Sequence, residues 1–102
     1  MRLIEILLPT KKNDGRPVPA VEFARLRAVL TDRFGGATFF SRAPAEGTWR
    51  PGGRAVERDT IVVMEVMTEV IDTDWWASLK DDLEERFSQS SVIVRSSEVE
   101  LL

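Results

Sequence analysis

The sequence predicts an α+β domain with the element order β-α-β-β-α-β, and three observations predict it. Phe23, Leu26, Leu30 and Phe34 recur at spacings of three and four, the apolar stripe of a helix, and Trp76, Leu79, Leu83 and Phe87 repeat that spacing in the second half. An apolar run precedes each stripe, at residues 3–8 and 61–67. A short break and a further apolar run follow each stripe, at residues 37–42 and from residue 92. A chain of 102 residues is large enough to bury one core without metal or disulfide staples, so residues 1–102 are expected to form a single domain.

Each element has its own local reason. Residues 3–8 read as the first strand, ended by Pro9, which has no amide proton for a ladder. Residues 10–19 are a polar loop in which Asn13-Asp14-Gly15 is a turn signal, and its Lys11, Lys12 and Arg16 read as solvated charges. Pro19 or Ala20 opens the first helix and Gly35-Gly36 stops it, glycine accepting the left-handed cap without steric cost. Residues 37–42 form the second strand. Residues 43–59 carry two prolines and three glycines and are expected to be a long irregular loop, of the kind small domains keep for function. Residues 60–67 form the third strand. Asp72, Thr73 or Asp74 caps the second helix. Residues 92–95 begin the fourth strand, and alternation through Val99 and Leu101 predicts a bulged or extended end after Ser96-Ser97.

Two strand-helix-strand units give a ferredoxin-like βαββαβ sandwich: a four-stranded antiparallel sheet of order 4-1-3-2 with two helices on one face. Alternation assigns Ile4, Ile6, Leu8, Phe39, Val62, Met64, Val66, Val92 and Val94 to the helix-covered face. The other face receives Leu3, Leu7, Phe40, Ile61, Val63, Met67 and Ile93, with Glu5, Thr38, Arg42, Glu65 and Arg95 among them. A sheet face left to water is mostly polar, so an apolar face of this extent is expected to be covered by a partner or to border a ligand.

Composition narrows the function classes. A net charge of −3 argues against a non-specific nucleic-acid binder, which needs a basic surface. The chain has no cysteine, which excludes thiol chemistry, and no histidine, the commonest general base and transition-metal ligand. No metal and no cofactor is expected. Gly35-Gly36 lacks the spacing of a phosphate-binding loop, and no acidic run has the spacing of a calcium loop. The first apolar run is short and interrupted by Glu5, unlike a signal peptide, and no segment is long enough to span a membrane, so a cytoplasmic protein is expected.

Two constellations remain as candidate sites. Strands four, one and three are neighbours in the expected order, which sets Arg95, Glu5 and Glu65 in one row, with Arg42 beyond. The row reads either as cross-strand ion pairing at the rim of a dimer interface or as a polar cluster in a covered cavity, where Glu5 or Glu65 serves as a base and Arg95 or Arg42 as an anion clamp. Trp49-Arg50 reads either as a loop anchor folded over the sheet edge or as a lid or partner contact, Trp and Arg being favoured at binding hot spots. Of Trp75-Trp76, one belongs to the core stripe and the other flanks the helix start.

The segments Arg33-Phe34-Gly35-Gly36-Ala37-Thr38, Gly47-Thr48-Trp49-Arg50, Arg58-Asp59 and Arg86-Phe87-Ser88-Gln89-Ser90-Ser91-Val92 resemble the ordered signature of a small bacterial family of unknown function. Its pattern runs Arg-Phe-x-Gly-x-Thr, Gly-x-Trp-Arg, Arg-Phe-x-Gln-x-Ser-Val. This chain departs from it in lacking a proline after Phe34 and in shifting the acidic position to Asp59. In architecture the chain is similar to dimeric α/β-barrel proteins, in which two ferredoxin-like sheets pair and enclose a ligand or a cofactor-independent site. The resemblance implies a homodimer.

The sequence thus leads to a non-catalytic homodimeric module that pairs through Leu3, Leu7, Phe40, Ile61, Val63, Met67 and Ile93. The alternative is a cofactor-free enzyme or binder of a small hydrophobic or anionic molecule. Its pocket would lie between the sheet face and the Trp49 loop, with Arg42, Trp49 and Arg50 as ligand contacts and Glu5, Glu65 and Arg95 as catalytic candidates.

Overall fold

The computed structural model describes residues 1–42 and 61–102, the side chains of residues 39–42 excepted. The chain runs β1 (Arg2–Pro9), α1 (Ala20–Phe34), β2 (Thr38–Arg42), β3 (Ile61–Thr68), α2 (Thr73–Arg86) and β4 (Ile93–Glu98). Trp49 and Arg50 lie outside the described residues.

The α+β class and the element order agree with the sequence expectation; the complete four-stranded sheet is corrected. Three strands, β3-β1-β4, pair antiparallel over the longest stretches, Arg2↔Thr68 to Pro9↔Ile61 and Arg2↔Glu98 to Leu7↔Ile93. β2 joins them as a short strip on the outer edge of β3, from Thr38↔Glu65 to Arg42↔Ile61, giving the order β2-β3-β1-β4. The strip begins at Thr38 because α1 ends at Phe34 with Gly35 as its cap, and the chain enters pairing only after Ala37.

Both helices lie on one face and close the core against it. Ile4, Ile6 and Leu8 of β1 and Val62, Met64 and Val66 of β3 meet Leu26 and Leu30 of α1 and Trp76, Leu79 and Leu83 of α2. Burying side chains of this size stabilises the fold by about 1.5–3 kcal/mol each before entropy is counted. Phe23 and Phe87, from the two related stripes, meet edge to face with ring centres 5.1 Å apart.

The helix ends follow the sequence. Gly35 takes φ +77° and donates its N–H to Thr31 O at 2.8 Å. Asp72 caps α2, its Oδ1 accepting from Trp75 N–H at 3.1 Å. At the other end of α2, Ser88 adopts φ +50° and the Gln89 N–H reaches back to Glu84 O at 2.9 Å, closing the helix in a Schellman-like turn. The loop after β1 docks on that turn: Asn13 N–H donates to Ser88 O and the Gln89 side-chain amide to Lys11 O.

β4 starts one residue later than predicted. The Val92 N–H donates to the Glu84 carboxylate at 2.9 Å, so it does not enter the ladder. Val92 itself is buried, and Val94, expected in the core, is half-buried. Of the bulged or extended end expected after Ser96-Ser97, the strand takes the extended form without a bulge, since the β1–β4 register continues unbroken from Leu7↔Ile93 to Arg2↔Glu98. Beyond β4, the Val99 N–H donates to Met1 O at 2.9 Å. Among the described residues no helix is long and apolar enough to cross a membrane.

Candidate functional site

The β1–β3, β1–β4 and β2–β3 registers align Thr38, Glu65, Glu5 and Arg95 as one row across the sheet. The row of Glu65, Glu5 and Arg95 is therefore the one the sequence predicts. Arg42 is not in it: it pairs with Ile61, four residues further along β2 or about 13 Å away. Alternation puts residues 38 and 42 on the same face, but only the register decides which of them meets Glu65, and Thr38 takes that place.

Arg95 Nε donates to Glu5 Oε1 at 3.1 Å. The Glu5 side chain is 17% exposed and that of Arg95 54%, so the pair stands at the margin of solvent and contributes modestly. Glu65 is half-buried and has no ion pair or hydrogen bond among the described residues. The row thus holds two carboxylates and one guanidinium, with Glu65 left over.

Glu65 borders a cleft of about 480 Å3 lined by Leu3, Phe34, Gly35, Gly36, Ala37, Thr38, Val66 and Met67. This is within the size range of small-molecule sites. The wall at Phe34 is held from behind. The Trp76 ring stacks on Phe34 at 5.5 Å and the Trp75 ring meets it edge-on at 5.4 Å. Arg33 lies over the Trp75 ring at 4.4 Å and donates to Asp72 Oδ2 at 3.2 Å, tying the end of α1 to the start of α2. As the sequence predicts, one tryptophan of the pair, Trp76, is buried, and Trp75 is a half-buried flank.

The residues expected to form a pairing face do not behave as one surface. Leu3, Leu7 and Ile61 are half-buried, Met67 and Ile93 are 50% and 55% exposed, and the Phe40 side chain lies outside the described ones. Val63 is 2% exposed although it stands apart from the main core cluster, so it offers no contact area to a partner. Leu3 and Met67 border the cleft.

Composition and spacing pointed to Glu65 but not to the cleft. Phe34 reads as the last residue of a helix stripe, and Gly35-Gly36 as a stop signal. The overlooked signal is the second glycine, because a left-handed cap requires only one.

No protein-family model matches the chain, and no curated protein matches it. Among solved structures, the chain is similar to a phage SAM lyase in complex with S-methyl-5'-thioadenosine, with a TM-score of 0.61 and 20% identity over 95% of this chain and 80% of that one. At this identity the likeness shows a shared fold. It nonetheless corrects the expectation of a non-catalytic module, since the solved chain that shares the fold is an enzyme with a small molecule bound.

Proposed function

We propose that the chain acts on a sulfonium nucleoside of the S-adenosylmethionine class, as a carbon–sulfur lyase, with the adenosine part seated in the cleft beside Glu65. The observation that carries this reading is the Glu65 carboxylate, without an ion pair or hydrogen bond among the described residues, at the border of a cleft on a fold shared with a lyase of that class. Residues 34–38 supply one wall of the same cleft.

The chemistry suits the residues. A carboxylate accepts two hydrogen bonds side by side, which the neighbouring hydroxyls of a ribose offer. Leu3, Phe34 and Met67 give apolar contact for a purine face and a thioether. Cleaving a carbon–sulfur bond of a sulfonium sends the bonding pair to sulfur, which leaves as a neutral thioether and requires no proton. A chain without histidine or cysteine can host such a step. The carbon that leaves sulfur completes its valence by taking a nucleophile or by giving up a neighbouring proton. Positive charge disappears from sulfur in the process, a change that contact with Leu3, Phe34 and Met67 in place of water favours.

The test is incubation of the protein with S-adenosylmethionine and quantitation of S-methyl-5'-thioadenosine by chromatography. Calorimetric titration with S-methyl-5'-thioadenosine and its 2'-deoxy analogue accompanies it. The expected result is thioether release above the uncatalysed rate and binding weakened about tenfold or more by loss of the 2'-hydroxyl, the effect of one hydrogen bond to a charged acceptor. No release and no binding of either nucleoside overturns the proposal.

A further inference from the structure

Among the three described glycines, Gly36 is the one whose conformation does not call for glycine. Gly15 and Gly35 adopt φ of +85° and +77°, where other residues are strained. Gly36 lies outside that region, and a Cβ added to it meets no atom of the described residues within 4 Å. The fold therefore has room for a side chain at this position, and glycine there costs chain entropy on folding. Gly36 also borders the cleft, between Phe34, which the α2 tryptophans hold in place, and Thr38, which faces Glu65 across β2 and β3.

We infer that Gly36 is a specificity-determining residue, its bare backbone leaving space for a nucleoside in the cleft that Glu65 borders. This rests on the reading that the cleft takes an adenosine-bearing sulfur compound. A methyl group at this position occupies volume that the protein does not use and the ligand does. It therefore separates two properties that mutations in a binding wall ordinarily change together, stability and affinity.

The experiment compares wild type, Gly36→Ala and Gly36→Val by thermal unfolding without ligand and by calorimetric titration with S-methyl-5'-thioadenosine. The expected result is an alanine variant that unfolds at the same or a higher temperature and binds about tenfold or more weakly, the scale of one misplaced methyl group in a fitted pocket. Valine weakens binding further. An alanine variant that binds as tightly as wild type overturns the inference and leaves the reading of the cleft standing. An alanine variant that loses both stability and binding also overturns it, because the glycine then serves the fold. A wild-type protein that takes up no nucleoside overturns both.

Discussion

Glu5 and Glu65 are register partners across β1 and β3, so two carboxylates stand where a sheet ordinarily sets opposite charges. Arg95 pairs with Glu5 from the β4 side, and Glu65 borders the cleft. Glu65→Gln is therefore expected to relieve repulsion and raise stability by about 0.2–1 kcal/mol, read from urea unfolding. The same variant is expected to bind S-methyl-5'-thioadenosine more weakly. A variant that gains stability without losing affinity removes Glu65 from the site.

The Arg95–Glu5 pair spans neighbouring strands at the solvent margin. A double-mutant cycle with Arg95→Met and Glu5→Gln is expected to give a coupling energy of about 0.5–1 kcal/mol, falling with added salt. Arg95→Met alone leaves Glu5 facing Glu65 without its counter-charge, and is expected to cost more stability than Arg95→Met in a Glu5→Gln background.

Ser88 occupies the left-handed position that ends α2, φ +50°, where glycine is free of strain. Ser88→Gly is expected to stabilise the protein by about 0.5–1 kcal/mol. Thermal unfolding should register this as a rise of a few degrees. The prediction fails if the midpoint is unchanged or lower.

Leu30 is fully buried between α1 and the sheet. Leu30→Ala is expected to cost about 3–5 kcal/mol in chemical unfolding, the transfer cost of the lost atoms plus the cavity they leave. Val21, on the same helix but 65% exposed, is the control, and Val21→Ala is expected to fall within about 0.5 kcal/mol of wild type.

The hydrogen bond from the Arg16 side chain, supported by the Arg16 backbone N–H, holds the Asp14 carboxyl below its usual value. A depressed folded-state value means that the interaction stabilises the loop above the unfolded-state value and is lost as pH falls through the folded one. The effect is small because both side chains are exposed. Carbon NMR of Asp14 is expected to show titration on the acid side of an ordinary aspartate in wild type, and a return to the ordinary range in Arg16→Met.

Periodicity made the two helices legible to within a residue, because stripes of three and four end at chemically distinct stops, Pro19, Gly35 and Asp72. Alternation made the face of Glu5, Glu65 and Arg95 legible, and strand order made their row legible. Register along an edge strand was not: Thr38 and Arg42 satisfy the same alternation, and only the pairing of β2 with β3 chooses between them. The start of β4 was hidden because a side chain from α2, Glu84, captures the Val92 amide, a contact no local pattern encodes. The cleft was hidden for a related reason, since its walls come from the end of one helix, a turn and two strands that meet only in three dimensions.

The bond from Val99 to Met1 sets the start of β1 beside the residue that follows β4. A short peptide tether could therefore join Leu102 to Met1 without crossing the molecule, freeing the chain to be opened elsewhere. Opening it in the exposed turn at Asn13-Asp14-Gly15 would yield a permuted protein that retains every strand pairing and the cleft, with its new ends on the solvated side of that turn.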